Sequence, residues 1–302
     1  MRKVTILDGG MGRELERRGA PFKQPEWSAL AMMEAPDIVK EVHKAYIDAG
    51  SEIITTNSYA LVPFHIGEDC FKERGAALAE QAATVAREAI NETGRDHVLV
   101  AGSVAPLFGS YRADLYQPER VEEIAVPLIT ALNPHIDLWL NETQSLIAES
   151  LAIKALVDRI DTDRKPFWVS FTLEDAETTE QPLLRSGETV IAAVQSMAEA
   201  GVDAILFNCS QPEIIAKAIE VTKQELAHYA KAIKIGAYAN AFPPQPKNAT
   251  ANDGLDELRA DLTPVTYLQW AQQWQALGAE LIGGCCGIGP DHIRALSETL
   301  TQ

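Results

Sequence analysis

The sequence predicts an α/β fold, a single (β/α)8 barrel of the TIM type over residues 1–302, and three observations carry that expectation. Short apolar runs alternate with helical patterns eight times along the chain. The runs are continuously apolar rather than alternating, as strands are when helices cover both faces of a parallel sheet. The length of 302 residues is that of one closed barrel.

The first strand, Val4 to Leu7, runs into the glycine turn Asp8-Gly9-Gly10-Met11-Gly12. Pro36 to Asp48 places Ile38, Val39, Val42, Ala45 and Tyr46 on a helical period, and Gly50 stands where a helix stops. Strand Ile53–Thr56 follows, then the alanine-rich helix 75–93, strand 98–102, helix 118–132, strand 136–140 and helix 146–160. The series closes with strand 167–171, helix 187–200, strand 204–207, helix 212–233, strand 235–239, helix 264–277, strand 281–282 and helix 290–300. An open doubly wound sheet is the competing architecture. The first glycine turn lacks the spacing of a dinucleotide loop, and the next strand lacks its acidic residue. The proline-rich pieces around Pro21 to Pro25 and Pro243 to Pro246 are expected as long rim loops.

A net charge of −17 argues against nucleic acid and membrane surfaces as partners and favours small, preferably cationic, molecules. The opening Met1-Arg2-Lys3-Val4 leads into a strand without an apolar signal segment, which points to the cytoplasm. In that reducing compartment four cysteines favour metal binding or catalysis over disulfides.

Barrel enzymes work at the C-terminal ends of their strands, so the residues there are the candidate site: Asp8, Gly9, Gly10, Thr56, Asn57, Tyr59, Ser103, Glu142, Ser170, Asn208, Cys209, Tyr238, Asn240, Cys285 and Cys286. Gly283-Gly284-Cys285-Cys286-Gly287 sets two adjacent thiols in a turn stripped of side chains, and Asn208-Cys209 can bring a third. Three thiolates suit a soft metal such as zinc and leave it a fourth position. A vicinal disulfide is the other reading of the pair. Cys70 is expected to be inert in an acidic loop, His43, His228 and His292 to be surface or helix residues, and Trp139 and Trp168 to lie in the core.

Asp8-Gly9-Gly10-Met11-Gly12-Arg13-Glu14-Leu15, Thr55-Thr56-Asn57-Ser58-Tyr59, Glu142-Thr143, Asn208-Cys209 and the Gly-Gly-Cys-Cys-Gly stretch, in this order, resemble the homocysteine S-methyltransferase family over nearly the whole chain. The resemblance implies a zinc-dependent barrel that moves a methyl group onto the homocysteine thiol, giving methionine, with Cys209, Cys285 and Cys286 as zinc ligands. It implies Glu142, with Asp8, as partner of the substrate ammonium. The N–H groups at Gly9 and Gly10 are candidates for its carboxylate, and Thr56 and Asn208 complete the expected substrate site.

Trp27 and Tyr59 are candidate walls of a donor site, and Tyr59 or Asn240 a candidate fourth zinc ligand. Betaine-using relatives are expected to carry an aromatic residue directly after the glutamate. Thr143 stands there instead, which leaves S-methylmethionine or S-adenosylmethionine ahead as donor. Selenocysteine remains an alternative acceptor. A lyase or hydrolase with a zinc-bound water is disfavoured by all-thiolate ligation, which weakens the Lewis acidity that water activation needs, and an idle thiol-binding protein is the third reading.

Overall fold

The computed structural model of the chain describes residues 3–176, 180–246, 249–250 and 257–301. Eight parallel strands among them follow the predicted order: β1 Thr5–Ile6, β2 Ile53–Thr55, β3 Leu99–Val104, β4 Leu138–Gln144, β5 Phe167–Phe171, β6 Ala204–Asn208, β7 Lys234–Tyr238 and β8 Leu281–Ile282. The strands are paired in sequence from β2 to β8, and β8 pairs with β1. A parallel bridge from Leu7 to Ile53 joins β1 to β2 and completes the circle, so the expected barrel is borne out.

The alternating burial expected of a barrel divides the core in two. Ten inward-facing residues, among them Leu7, Ile53, Leu138, Leu140, Trp168, Leu206 and Leu281, fill the barrel. A larger shell cluster, including Ile6, Ile54, Val100, Trp139, Val169, Ile205 and Ile282, packs outward under the helices. At the barrel floor, acids placed just before strands accept neighbouring strand N–H groups. Ile6 N donates to Glu52 Oε2 at 3.1 Å, Val100 N to Asp137 Oδ2 at 2.7 Å, and Phe167 N to Asp203 Oδ2 at 2.8 Å. The chain's acidity thus serves in part to satisfy strand starts.

The outer helices are α3 Pro36–Ala49, α5 Glu68–Thr93, α6 Val121–Leu132, α7 Ile147–Ile160, α8 Val190–Glu199, α9 Pro212–Leu226, α10 Pro264–Leu277 and α11 Pro290–Leu300. Three short helices lie outside the predicted alternation: α1 Met11–Arg17, α2 Ser28–Glu34 and α4 Pro63–Ile66, all in the first two loops of the upper rim. None of the described helices is long and apolar enough to cross a membrane.

Several boundaries differ from expectation for physical reasons. α5 begins at Glu68, so Cys70 sits in its first turn rather than in a preceding loop. Glu68 and Asp69 there favour the positive end of the helix dipole. α8 starts only at Val190 because Thr189 caps it, its side chain accepting from Ala192 N. α9 stops at Leu226 instead of Ile233. Strand β4 continues to Gln144, four residues past the expected end, and shifts register between Asn141 and Gln144.

The two glycine turns interlock where the barrel closes. Gly10 N donates to Ile288 O at 2.9 Å and Gly284 N to Asp8 O at 2.9 Å. The buried Tyr46 hydroxyl donates to Gly10 O at 2.8 Å and lies 3.2 Å from Ile288 O. A side chain has no room here: a Cβ on Gly10 would stand 2.5 Å from the Cys285 carbonyl oxygen, and one on Gly283 would stand 2.7 Å from the Asp8 carbonyl oxygen.

Two outcomes are expected. Gly10→Ala forces backbone against backbone and should destabilise the fold by about 1–3 kcal/mol in denaturant titration; an unchanged midpoint would contradict the interlock. His43, expected as a surface or helix residue, lies on α3 and is fully buried there; neither ring nitrogen has a hydrogen-bond partner, and burial lowers its pKa to about 4. An unfolded chain therefore takes up this proton near pH 6.5 and the folded one only near 4. This residue's contribution is present above pH 6.5 and is lost as pH falls towards 4, on the order of 3 kcal/mol. Wild-type and His43→Leu stability curves should diverge across that window, with the wild type losing more stability towards acid; parallel curves would refute the assignment.

Candidate active site and metal centre

A cavity of about 200 Å³ opens at the C-terminal ends of the strands, and Asp8, Gly9, Gly10, Trp27, Thr56, Tyr59, Glu142, Cys209, Cys285 and Cys286 all line it. The three thiols come from two strand ends. Cys209 follows β6 with φ of +49°, a conformation that turns its side chain out of the strand path. Cys285 and Cys286 follow β8, held by Cys285 N donating to Ala239 O at 2.9 Å and Ala241 N donating to Cys286 O at 2.8 Å.

The three Sγ atoms lie within 4.8 Å of one another. Tetrahedral zinc with Zn–S bonds of about 2.3 Å separates its sulfurs by about 3.8 Å, so the set fits a metal, with the Cys209–Cys285 edge, at 2.6 Å, the compressed one. All four cysteines are free in the structure. Electrostatics make the same point. Cys209 and Cys285 donate to Cys286 and, with the Arg13 charge, hold its thiol well below the ordinary range, while neighbouring thiols and burial hold Cys209 well above it. A cation among the three sulfurs would let all of them ionise.

Two carboxylates share the cavity. Glu142 is buried, accepts from Ser103 Oγ at 2.5 Å and from Tyr238 Oη at 3.2 Å, and burial, reinforced by the nearby Cys285, raises its pKa to about 7. Asp8 accepts Thr55 N at 2.7 Å and Thr55 Oγ1 at 3.1 Å, and burial, with a smaller push from Glu142, raises its pKa to about 7. Neither has a cationic partner in these contacts, so an incoming ammonium would relieve both.

Glu142 lies within β4 rather than after it. The following Thr143 has φ of +58°, rare for a β-branched residue. Asn208 holds that conformation: Thr143 N donates to Asn208 Oδ1 at 3.0 Å, and Asn208 Nδ2 donates to Thr143 Oγ1 at 2.8 Å. Ser170 Oγ also donates to Asn208 Oδ1, at 2.7 Å. Asn208 is fully buried and is not among the residues that line the cavity; it forms a joint between the Glu142 and Cys209 segments.

Asn240 is fully buried and is not among the residues that line the cavity; its Oδ1 accepts Phe242 N at 3.4 Å. The Gly10 N–H is held by Ile288 O and is unavailable to a carboxylate. Thr56 reaches the cavity but also braces it, accepting Ser103 N at 3.0 Å. Tyr59 Oη lies 2.5 Å from Ser110 Oγ, and Tyr59 is close enough for a charge on Cys209 to bear on its hydroxyl.

Sequence reasoning left out Phe22, His65, Ser110, Tyr111 and Gln245, which complete the wall. They sit in the long connections of the rim, His65 on the short helix α4, and the proline-rich segments hinted only at Phe22 and Gln245. Tyr111 is held from outside by Arg185, whose guanidinium lies 4.6 Å from the ring centre. Arg185 also pairs with Asp175 at 2.8 Å, both about 1% exposed. Asp175 in turn accepts Gln245 N and Gln211 N, tying four rim loops together.

Comparison with known proteins places this geometry. A family model described as homocysteine S-methyltransferase matches residues 5–300. Homocysteine S-methyltransferase 1 of Arabidopsis thaliana is 27% identical, the alignment covering 99% of this chain and 94% of the relative. Selenocysteine methyltransferase of Astragalus bisulcatus is 28% identical, with 99% and 93% covered. The crystal structure of the homocysteine methyltransferase MmuM from Escherichia coli in its metallated form superposes with a TM-score of 0.76 at 30% identity, over 98% of this chain and 96% of that one. With the barrel, the thiol cluster and these likenesses together, the chain belongs to the homocysteine S-methyltransferase family.

Proposed function

We propose that residues 1–302 form one catalytic unit that transfers a methyl group from a sulfonium donor, S-methylmethionine or S-adenosylmethionine, to the thiol of homocysteine, giving methionine. The observation that carries this reading is the convergence of three thiols and two buried carboxylates on one cavity. Cys209, Cys285 and Cys286 would hold zinc, which when bound supplies a substrate thiol that is deprotonated at neutral pH yet electron-rich.

The remaining chemistry falls to the chain. Glu142 and Asp8 take the homocysteine ammonium in charge-assisted hydrogen bonds, which points the substrate sulfur towards the cysteines. Ser103 and Tyr238 fix the Glu142 carboxylate, and Thr55 fixes that of Asp8. The homocysteine sulfur forms a bond to the methyl carbon while the donor's carbon–sulfur bond breaks, the electron pair leaving on the donor sulfur as a neutral thioether. The aromatic faces of Trp27, Tyr59, Tyr111 and Tyr238 on the cavity wall suit a sulfonium.

Thr143, locked to Asn208, leaves no ring after Glu142 for a trimethylammonium cage, which supports the sulfonium donors over betaine. The Selenocysteine methyltransferase likeness supports a selenol as a second acceptor. Free thiols in the metal set suit a reducing cytoplasm.

Zinc-loaded protein given homocysteine and either sulfonium should release methionine; no product with zinc bound would defeat the proposal. Cys286→Ala should lose both stoichiometric zinc and turnover, read by metal analysis and product formation. Glu142→Gln should keep zinc yet raise the KM for homocysteine about tenfold to a hundredfold, the worth of a hydrogen bond to a charged group; an unchanged KM would remove Glu142 from ammonium binding.

A further inference from the structure

Each amino-acid substrate of the proposed reaction brings a carboxylate as well as an ammonium. The structure offers two acids for ammonium, Asp8 and Glu142, both less than a tenth exposed on the cavity floor. Of the two N–H groups expected to meet a carboxylate, that of Gly10 is engaged by Ile288 O. Among the described residues that line the cavity, Arg13 is the one lysine or arginine.

Arg13 stands on α1 at the rim rather than the floor. Its side chain is 21% exposed, and its Nη1 donates to Glu16 Oε2 at 2.8 Å, Glu16 itself being 45% exposed. An ion pair so open to water is worth little, so Glu16 is a weak competitor for an incoming carboxylate. Its charge also reaches the thiol cluster, since it helps to stabilise the Cys286 thiolate. Gly12, next to it, has no side chain because the Phe22 ring occupies the space; a Cβ there would stand 2.8 Å from that ring. Phe22 meets Trp27 edge to face with centroids 5.6 Å apart. The rim beside Arg13 is therefore an aromatic ledge with one fixed cation.

Building on the methyl-transfer reading above, we propose that Arg13 selects the methyl donor by taking its carboxylate at the cavity rim. Homocysteine, anchored by its ammonium on the floor and its sulfur at the cysteines, leaves the rim to the second substrate. A donor whose carboxylate sits on Arg13 can lay its sulfonium along the aromatic ledge with the methyl directed inward. An onium ion without a carboxylate meets Arg13 as a like charge and is turned away. The residue thus works by attraction of zwitterionic donors and by repulsion of simple cations.

The test uses the zinc-loaded protein, homocysteine, and S-methylmethionine and S-adenosylmethionine, each beside its α-carboxamide. Wild type should prefer each acid over its amide by about tenfold to a hundredfold in kcat/KM, the range for a hydrogen bond to a charged group. Arg13→Gln should bring that ratio close to one while the KM for homocysteine stays unchanged, and Arg13→Lys should restore part of the preference. Any general effect of Arg13 on the thiolates falls equally on acid and amide and cancels in the ratio. An active Arg13→Gln enzyme with the wild-type ratio, or one whose homocysteine KM rises instead, overturns the role of Arg13 alone. Absence of methionine from wild type with every donor overturns the methyl-transfer reading and this inference with it.

Discussion

The whole site depends on one closure, the seam where the first strand meets the last. Both strands are two residues long, so the seam is held less by sheet hydrogen bonds than by the turns that follow. There Asp8 to Gly10 and Gly283 to Ile288 lie backbone against backbone, with Tyr46 bonded to both. That contact fixes a carboxylate on one side and two thiols on the other. The glycines are required because the approach leaves no room for a Cβ.

A second joint, at Asn208, links the remaining groups. One amide side chain holds Thr143 in a left-handed conformation, while its own backbone leads directly into Cys209. The segment that carries Glu142 and the one that carries Cys209 are therefore tied together. Strain of this kind persists only where surroundings over-determine it, and here a fully buried amide with several bonds does so. The electrostatic design follows the same economy: the acids and thiols lie where burial makes charge costly, so the cavity favours a cation that can neutralise several of them at once.

The barrel was legible because alternation and continuous apolar runs are properties of the sequence alone, and the rule that chemistry sits after strands then found Cys209, Cys285, Cys286, Asp8, Thr56 and Glu142. The rule worked less well where the backbone departs from regularity. It cannot tell which way a side chain turns after a strand, so it groups Asn208 and Asn240 with the wall although both are fully buried outside it. The bulge that extends β4 through Glu142 leaves no mark on periodicity. Phe22, Tyr111 and Gln245 reach the site through long loops, whose paths depend on distant partners such as the Arg185–Asp175 pair. His43 shows the converse: an ordinary helical histidine in sequence, it is buried by tertiary packing alone.

The seam also sets an order in time. The Tyr46 hydroxyl and the Ile288 carbonyl are separated by 242 residues of chain, so their contact cannot form until almost the whole chain is present. During synthesis the N-terminal glycine turn must wait for its partner to leave the ribosome. A nascent barrel can thus carry a finished Cys209 segment while Cys285 and Cys286 are still missing, and the three-thiol cluster is complete only once the last strand has arrived.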